Sequence, residues 1–278
     1  MKVTVDGLFN YPVKSLRARS QQQLTLDAAG LQGDRRWMIV DDKGGFITQR
    51  QCPKMATLSA MPVADGLKLE NLAGEVIAVR IPGAGAPALT VQVWQDSCLA
   101  KSAGEEVDRW LSDYLGQSCH LVYMPEDCRR LVNGFMNNLV GFADGYPLLL
   151  TSTASLDELN RRLSKKGADA VPMSRFRPNL VVEGGELLEA FAEDGWAALT
   201  IDGLRLVNAK PCGRCMVITT DQLTGEKHRR REPLTTLREF RIDAEGEILF
   251  GINLVPEFSG LQQSQAIKLG DWLQVHLS

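Results

Sequence analysis

Two cysteines three residues apart, Cys212 and Cys215, stand in the stretch NAKPCGRCMVITTDQLTG, residues 208–225. Such a pair can form a disulfide, supply half of a zinc site, cycle as a thioredoxin-type redox couple, or present one working thiolate beside a neighbour. Disulfide frameworks belong to oxidising compartments. The six cysteines here, at 52, 98, 119, 128, 212 and 215, are scattered without framework spacing. A structural zinc site needs four ligands, yet no second Cys-x-x-Cys follows, and His120, His228 and His276 are isolated. A redox couple needs its first thiol at a helix N-terminus. The β-branched run Met216–Thr220 instead predicts a strand, and Pro211 precedes the pair rather than dividing it. The surviving reading is a cysteine at a strand start beside Arg214, whose cation favours thiolate. A soft thiolate serves as a metal ligand or a nucleophile. A small buried residue near a turn remains the open alternative.

Three further stretches carry polar chemistry: YPVKS with Lys14 and Ser15, GDRRW with Arg35 and Arg36, and RFRPNLV with Arg175, Arg177 and Asn179. Each lies where a loop meets an expected strand. In a barrel such junctions converge on one mouth, and clustered Arg, Lys and Ser donors suit a phosphate-bearing anion. KHRRRE (227–232) reads as a solvated turn or a docking patch for an acidic partner. Glu193-Asp194 reads as a solvated loop in preference to a metal carboxylate pair. Trp110, Trp196 and Trp272 read as core or rim packing. Lys210 could form a Schiff base with pyridoxal phosphate, but no pattern of such an enzyme surrounds it.

The elements that must position these residues are mostly strands. VTVDGLF (3–9), WMIVD (37–41), TLSAM (57–61), VIAVRI (76–81) and LTVQVW (89–94) are separated by turn signals, which predicts a barrel or sandwich. A helix is expected from Ser102 and Glu105, as a capping box, to Gly116. A strand at 119–124 follows. The second half predicts LLLTS (148–152), a helix over 153–165, strands at 179–184, 196–201, 204–209 and 216–221, a short helix near 233–240, and closing strands near 248–254 and 272–277. The fold class is therefore α+β, predominantly β, with a boundary near 120–145. The 278 residues are 44% hydrophobic and 23% charged, and the net charge of -3 argues against a general nucleic-acid binder. No long apolar segment opens the chain, so the expected compartment is the cytoplasm.

YPVKS, GDRRWMIVD, FADGYPLLLTSTASLDELNRRL, FRPNLVVEG and PCGRCMVITTDQLTG, in this order and at these intervals, resemble the MOSC-domain proteins with an N-terminal β-barrel. That family includes the mitochondrial amidoxime-reducing component and its bacterial relatives. The resemblance covers nearly the whole chain. It implies an N-terminal MOSC β-barrel domain over 1–123, packed on a MOSC β-barrel domain with a few helices over 124–278. It further implies a molybdenum cofactor, Mo-molybdopterin, whose metal is also held by one cysteine thiolate. Carried over, Cys215 is the molybdenum ligand and the catalytic thiolate, with Gly213 and Arg214 against the cofactor. Lys14, Ser15, Arg35, Arg177 and Asn179 match cofactor-binding positions. Gly145 and Tyr146 stand where relatives have a Thr-Ser or similar pair, leaving backbone N–H groups as the donors expected there. The match gives Cys212 no ligand role.

The activity implied is reduction of N-hydroxylated bases, amidoximes or hydroxylamines. The alternative is a carrier that holds the cofactor or a sulfur on Cys215. The cysteines are not grouped for an iron–sulfur cluster, and no GxGxxG fingerprint is present. Electrons are therefore expected from a separate flavin, iron–sulfur or haem protein, with no nucleic acid or membrane as a partner.

Overall fold

The computed structural model describes residues 1–259 and 263–278. Seven strands close into a barrel. Around it run Leu180–Glu183, Leu148–Ser152, Leu249–Phe258, Leu204–Gly213, Trp196–Ile201, Trp272–Leu277 and Lys2–Asn10, and pairing of Lys2–Asn10 with Leu180–Glu183 completes the circle. The first strand of the chain is thus a stave of the barrel built mainly from the second half. Its alternation puts Val3 and Val5 inward with Leu150, Val182, Leu206, Leu254 and Leu273, as a half-buried strand requires. Gly251, at φ 76°, permits the close approach of Leu249–Phe258 to Leu150, whose carbonyl a Cβ would meet at 2.5 Å.

The N-terminal half packs around Trp37, Ile39, Met55, Leu58, Leu111 and Leu121. A four-stranded sheet runs Trp37–Val40, His120–Tyr123, Asp96–Ser102, Ala88–Val93, beside a three-stranded meander of Ser59–Val63, Gly66–Glu70 and Val76–Arg80. Helix α1 (Glu105–Leu115) buries Val107, Leu111 and Leu115 and stops at Gly116 in the left-handed conformation. Its N-cap is Gly104 rather than Ser102. The expected capping box does not form, because Ser102 Oγ accepts from the Gly104 N–H at 3.2 Å, ahead of the helix.

Helix α2 (Thr153–Lys165) bridges the parallel strands Leu148–Ser152 and Leu180–Glu183 as the crossover that parallel pairing demands. Ser152 caps it through the Ser155 N–H. Helix α3 (Leu234–Arg238) is a single turn over Leu237. The expected strand at 216–221 is instead a 3-10 turn, Met216–Thr219, closed by Ile218 N–H on the Cys215 carbonyl. The preceding strand already ends at Gly213, so Cys215 follows a strand's end rather than opening a new strand.

Glu193-Asp194 is not a solvated loop. Glu193 is fully buried and accepts from Ser155 Oγ at 2.7 Å and Ser152 Oγ at 3.0 Å, tying the turn before Trp196 to the start of α2. Asp194 pairs with Arg241 at 2.5 Å. Burial pushes the Glu193 carboxyl above the ordinary glutamate range, against the smaller opposing effect of the serine hydroxyls. A carboxyl raised on folding stabilises the protein while protonated, and that stabilisation is lost as pH rises from the ordinary glutamate range through the raised pKa. Glu193→Gln, which keeps shape and serine contacts, is expected to lie within about 1 kcal/mol of the parent at pH 5 and to be the more stable of the two at pH 8. Urea denaturation at both pH values checks this. A parent no less stable than the variant at pH 8 would contradict it.

Candidate functional site

The strand ends converge as the polar stretches led one to expect. A single cavity of about 350 Å³ is lined by Lys14, Ser15 and Arg35 from the segments before Trp37, and by Gly145 and Tyr146 before Leu148–Ser152. Arg177 and Asn179 before Leu180–Glu183, and Gly213, Arg214 and Cys215 after Leu204–Gly213, complete that set. Arg36 and Arg175 turn elsewhere. Arg36 Nη2 donates to the Met124 carbonyl at 2.6 Å, and Arg175 pairs with Asp221 at 2.8 Å.

Three of the cavity residues hold left-handed backbone: Ser15 at φ 68°, Arg35 at φ 45° and Arg177 at φ 57°. Non-glycine residues pay of order 1–3 kcal/mol for such conformations, and sites concentrate them where the surroundings over-determine the geometry. Here Tyr11 supplies much of that constraint. It is fully buried, its hydroxyl donates to the Pro178 carbonyl at 2.9 Å, and its N–H donates to Asp34 Oδ1 at 2.7 Å. The guanidinium carbons of Arg35 and Arg177 lie 4.1 and 4.4 Å from its ring centroid. Burial pushes the Tyr11 phenol up to about 12. Tyr11 was missed as a site residue, although its position beside the YPVKS cation was a usable signal.

The cations differ in what compensates them. Lys14 Nζ donates to Asp144 Oδ1 at 2.5 Å and to the Phe142 carbonyl at 2.7 Å, and burial still lowers its pKa. The Lys14 charge holds the Asp144 carboxyl well below the usual range, despite burial acting the other way. Arg35 pairs with Asp34 and donates to Asn179 Oδ1 at 3.1 Å. Arg177 Nη1 donates to the Leu16 carbonyl at 2.8 Å and to Gln222 Oε1 at 3.2 Å, with no carboxylate partner among the described residues. Burial lowers its pKa to about 10. Gln49 and Gln222 exchange amide hydrogen bonds at 3.1 and 2.9 Å, joining the N-terminal half to the segment after the cysteines. No pattern in the sequence announced that pair.

Arg214 is the correction to the cysteine reading. Its Nη1 donates to Cys212 Sγ at 3.1 Å and its Nη2 to the Phe176 carbonyl at 2.6 Å, so its cation lies on Cys212 rather than Cys215. Its buried Nε has no partner. All six cysteines are free, Cys212 half-buried and Cys215 exposed. Among the described residues no cluster of three His, Cys, Asp or Glu side chains is arranged to hold a metal ion. The donor set thus offers one exposed soft thiol, half-buried guanidinium groups without carboxylate partners, and an orphaned guanidinium N–H. That set fits an anionic ligand bringing its own soft metal coordination.

The chain matches the family description "MOSC N-terminal beta barrel domain" over residues 2–118 and "MOSC domain" over residues 137–274. It is 31% identical to mitochondrial amidoxime-reducing component 1 of Mus musculus, across 96% of this chain and 81% of that protein. Identity to the Homo sapiens protein of the same name is 30%, with the same coverage. It is also 30% identical to the molybdenum cofactor sulfurase of Danio rerio, across 96% of this chain but 34% of that longer protein.

Proposed function

The chain belongs to the MOSC-domain family that carries an N-terminal MOSC β-barrel, and on that premise we propose that it is a cytoplasmic, molybdenum cofactor-dependent oxidoreductase reducing N-hydroxylated compounds. The observation that carries this reading is the meeting of Cys215 with Lys14, Arg35, Arg177 and Arg214 in one cavity. When bound, the molybdenum cofactor supplies a two-electron centre able to accept oxygen, and that chemistry is the cofactor's own.

The chain's residues do the rest. Cys215 offers a thiolate to the metal. Arg177 and Arg214, without carboxylate partners, offer guanidinium groups to the phosphate, with Lys14 and Ser15 beside them. Tyr11 holds Arg35 and Arg177 in register, so little is reorganised on binding. Reduction of an N–OH group to N–H consumes two electrons and two protons and releases water.

Metal and pterin analysis of the purified protein, followed by assay of benzamidoxime with an artificial reductant, tests the reading. Stoichiometric molybdenum with turnover supports it. A persulfide on Cys215 without bound molybdenum would replace it with the carrier.

Electrons are proposed to come from a separate, acidic protein. Arg229, Arg230 and Arg231 form an exposed basic turn, held by the Lys227 Nζ bond to the Arg50 carbonyl at 2.9 Å. Exposed charges steer encounter and are screened by salt. Reversing the three arginines to glutamate is expected to lower the second-order rate with such a donor by about tenfold or more, and to leave a neutral artificial reductant nearly unaffected. Salt titration of both rates checks this. Parallel loss with the two reductants would reject the docking role.

A further inference from the structure

One wall of the cavity comes from the N-terminal half, through Thr48 and Arg50. Arg50 is held there firmly. Its guanidinium carbon lies 4.4 Å from the Trp94 ring centroid and 5.8 Å from that of Phe46, and its Nε donates to Thr48 Oγ1 at 3.2 Å. Trp94 is itself fixed, because its Nε1 donates to Asp144 Oδ1 at 3.1 Å. A planar guanidinium stacked on an aromatic plate keeps its edge free for bidentate contact with a carboxylate or phosphate.

Arg50 forms no salt bridge among the described residues, although Asp144 lies near enough to feel its charge. Six cations line the cavity: Lys14, Arg35, Arg50, Arg177, Lys210 and Arg214. Lys14 is paired with Asp144 and Arg35 with Asp34, so four remain against the single carboxylate of Glu247. A terminal phosphate carries about 1.5–2 negative charges and the Cys215 thiolate one more, so the sum lies near balance, and Arg50 is singled out by its place on the wall opposite the other three cations. Of the four, Arg177, Lys210 and Arg214 come from the barrel half and Arg50 alone from the other wall.

We propose that Arg50 is a specificity-determining residue that binds a carboxylate or phosphate substituent on the N-hydroxylated substrate. The proposal rests on the reductase reading for the word substrate, but the anion contact itself does not depend on turnover. The preferred compounds are then N-hydroxylated molecules bearing an anionic group, rather than neutral ones.

The test compares benzamidoxime with 4-carboxybenzamidoxime on cofactor-loaded protein, using an artificial reductant. The carboxylated compound is expected to show about tenfold higher kcat/KM, carried by KM, as befits one charge-assisted contact. Arg50→Gln should erase that preference and Arg50→Lys restore part of it. Equal kcat/KM for both compounds in the parent, or equal loss for both in Arg50→Gln, would overturn the proposal. Without reductant neither compound is consumed, so calorimetry reads both Kd values directly. A Kd preference abolished by Arg50→Gln would uphold the anion site even if no turnover were found, and would place the failure with the reductase reading. Turnover without any preference would do the reverse.

Discussion

Cys215→Ala is expected to give a folded protein without molybdenum and with turnover reduced more than about 100-fold, the scale on which even outer-shell partners of metal ligands act. Cys215 is exposed, follows the end of Leu204–Gly213 and faces the cavity. Its loss should therefore change stability by no more than about 0.5 kcal/mol, which separates loss of the ligand from loss of the fold. Cys212→Ala is expected to keep its metal and lose less than about tenfold in turnover. Cys212 Sγ gives Arg214 only one weak acceptor, and the Phe176 carbonyl still holds that guanidinium at 2.6 Å. Metal content by mass spectrometry, read beside kcat/KM, decides the matter. Metal retained by Cys215→Ala, or lost by Cys212→Ala alone, would reverse the assignment.

The contrast between those two thiols shows how far the sequence reaches. Spacing and residue type drew attention to the Cys212–Cys215 pair, Arg177 and the Lys14 segment, because each borders a strongly patterned strand, while the choice of Cys215 between the two thiols came from the family resemblance. The β-branched run after Cys215 misled, since Val217, Ile218 and Thr219 favour strands by propensity. The neighbouring ladder ends at Gly213, however, and the segment closes a 3-10 turn instead. Glu193 was misread for a different reason. Its partners Ser152 and Ser155 stand about forty residues away in sequence, so an acidic pair before a strand looked solvated. Side-chain direction was equally hidden. Nothing local told that Arg214 turns onto Cys212, or that Gln49 meets Gln222 across the two halves. Strand pattern was legible; contacts between distant side chains were not.

Arg177 and Asn179 share one loop and one cavity, yet their removal is expected to fail in opposite ways. Asn179 is nearly fully buried, and its amide is spent on the protein. Its Oδ1 accepts from Arg35 Nη1 at 3.1 Å and from the Leu149 N–H at 3.2 Å, while its Nδ2 donates to the Phe9 carbonyl at 3.2 Å. Asn179→Ala removes all three and leaves buried groups unsatisfied, at about 1–3 kcal/mol for each group left orphaned. The cofactor-free variant should melt several degrees lower, since about 1 kcal/mol shifts a chain of this size by roughly 2–4 °C. Arg177 presents the reverse case. Its charge is desolvated without a carboxylate partner, and its two hydrogen bonds go to the Leu16 carbonyl and the Gln222 amide. Arg177→Ala keeps the same left-handed backbone, gives up those bonds and the stacking on Tyr11, and removes a buried cation that destabilises the empty cavity. These effects oppose one another, so the cofactor-free melting temperature should move by less than in Asn179→Ala. Anion binding should suffer far more, because a charge-assisted contact contributes about 1.5–3 kcal/mol, or roughly 10- to 150-fold in affinity. Melting of both cofactor-free variants, with and without added pyrophosphate, reads the two effects separately. If Arg177→Ala melted as low as Asn179→Ala and both kept the pyrophosphate-induced shift, the arginine would be a fold element and the cavity's anion-binding role would pass to Lys210 and Arg214.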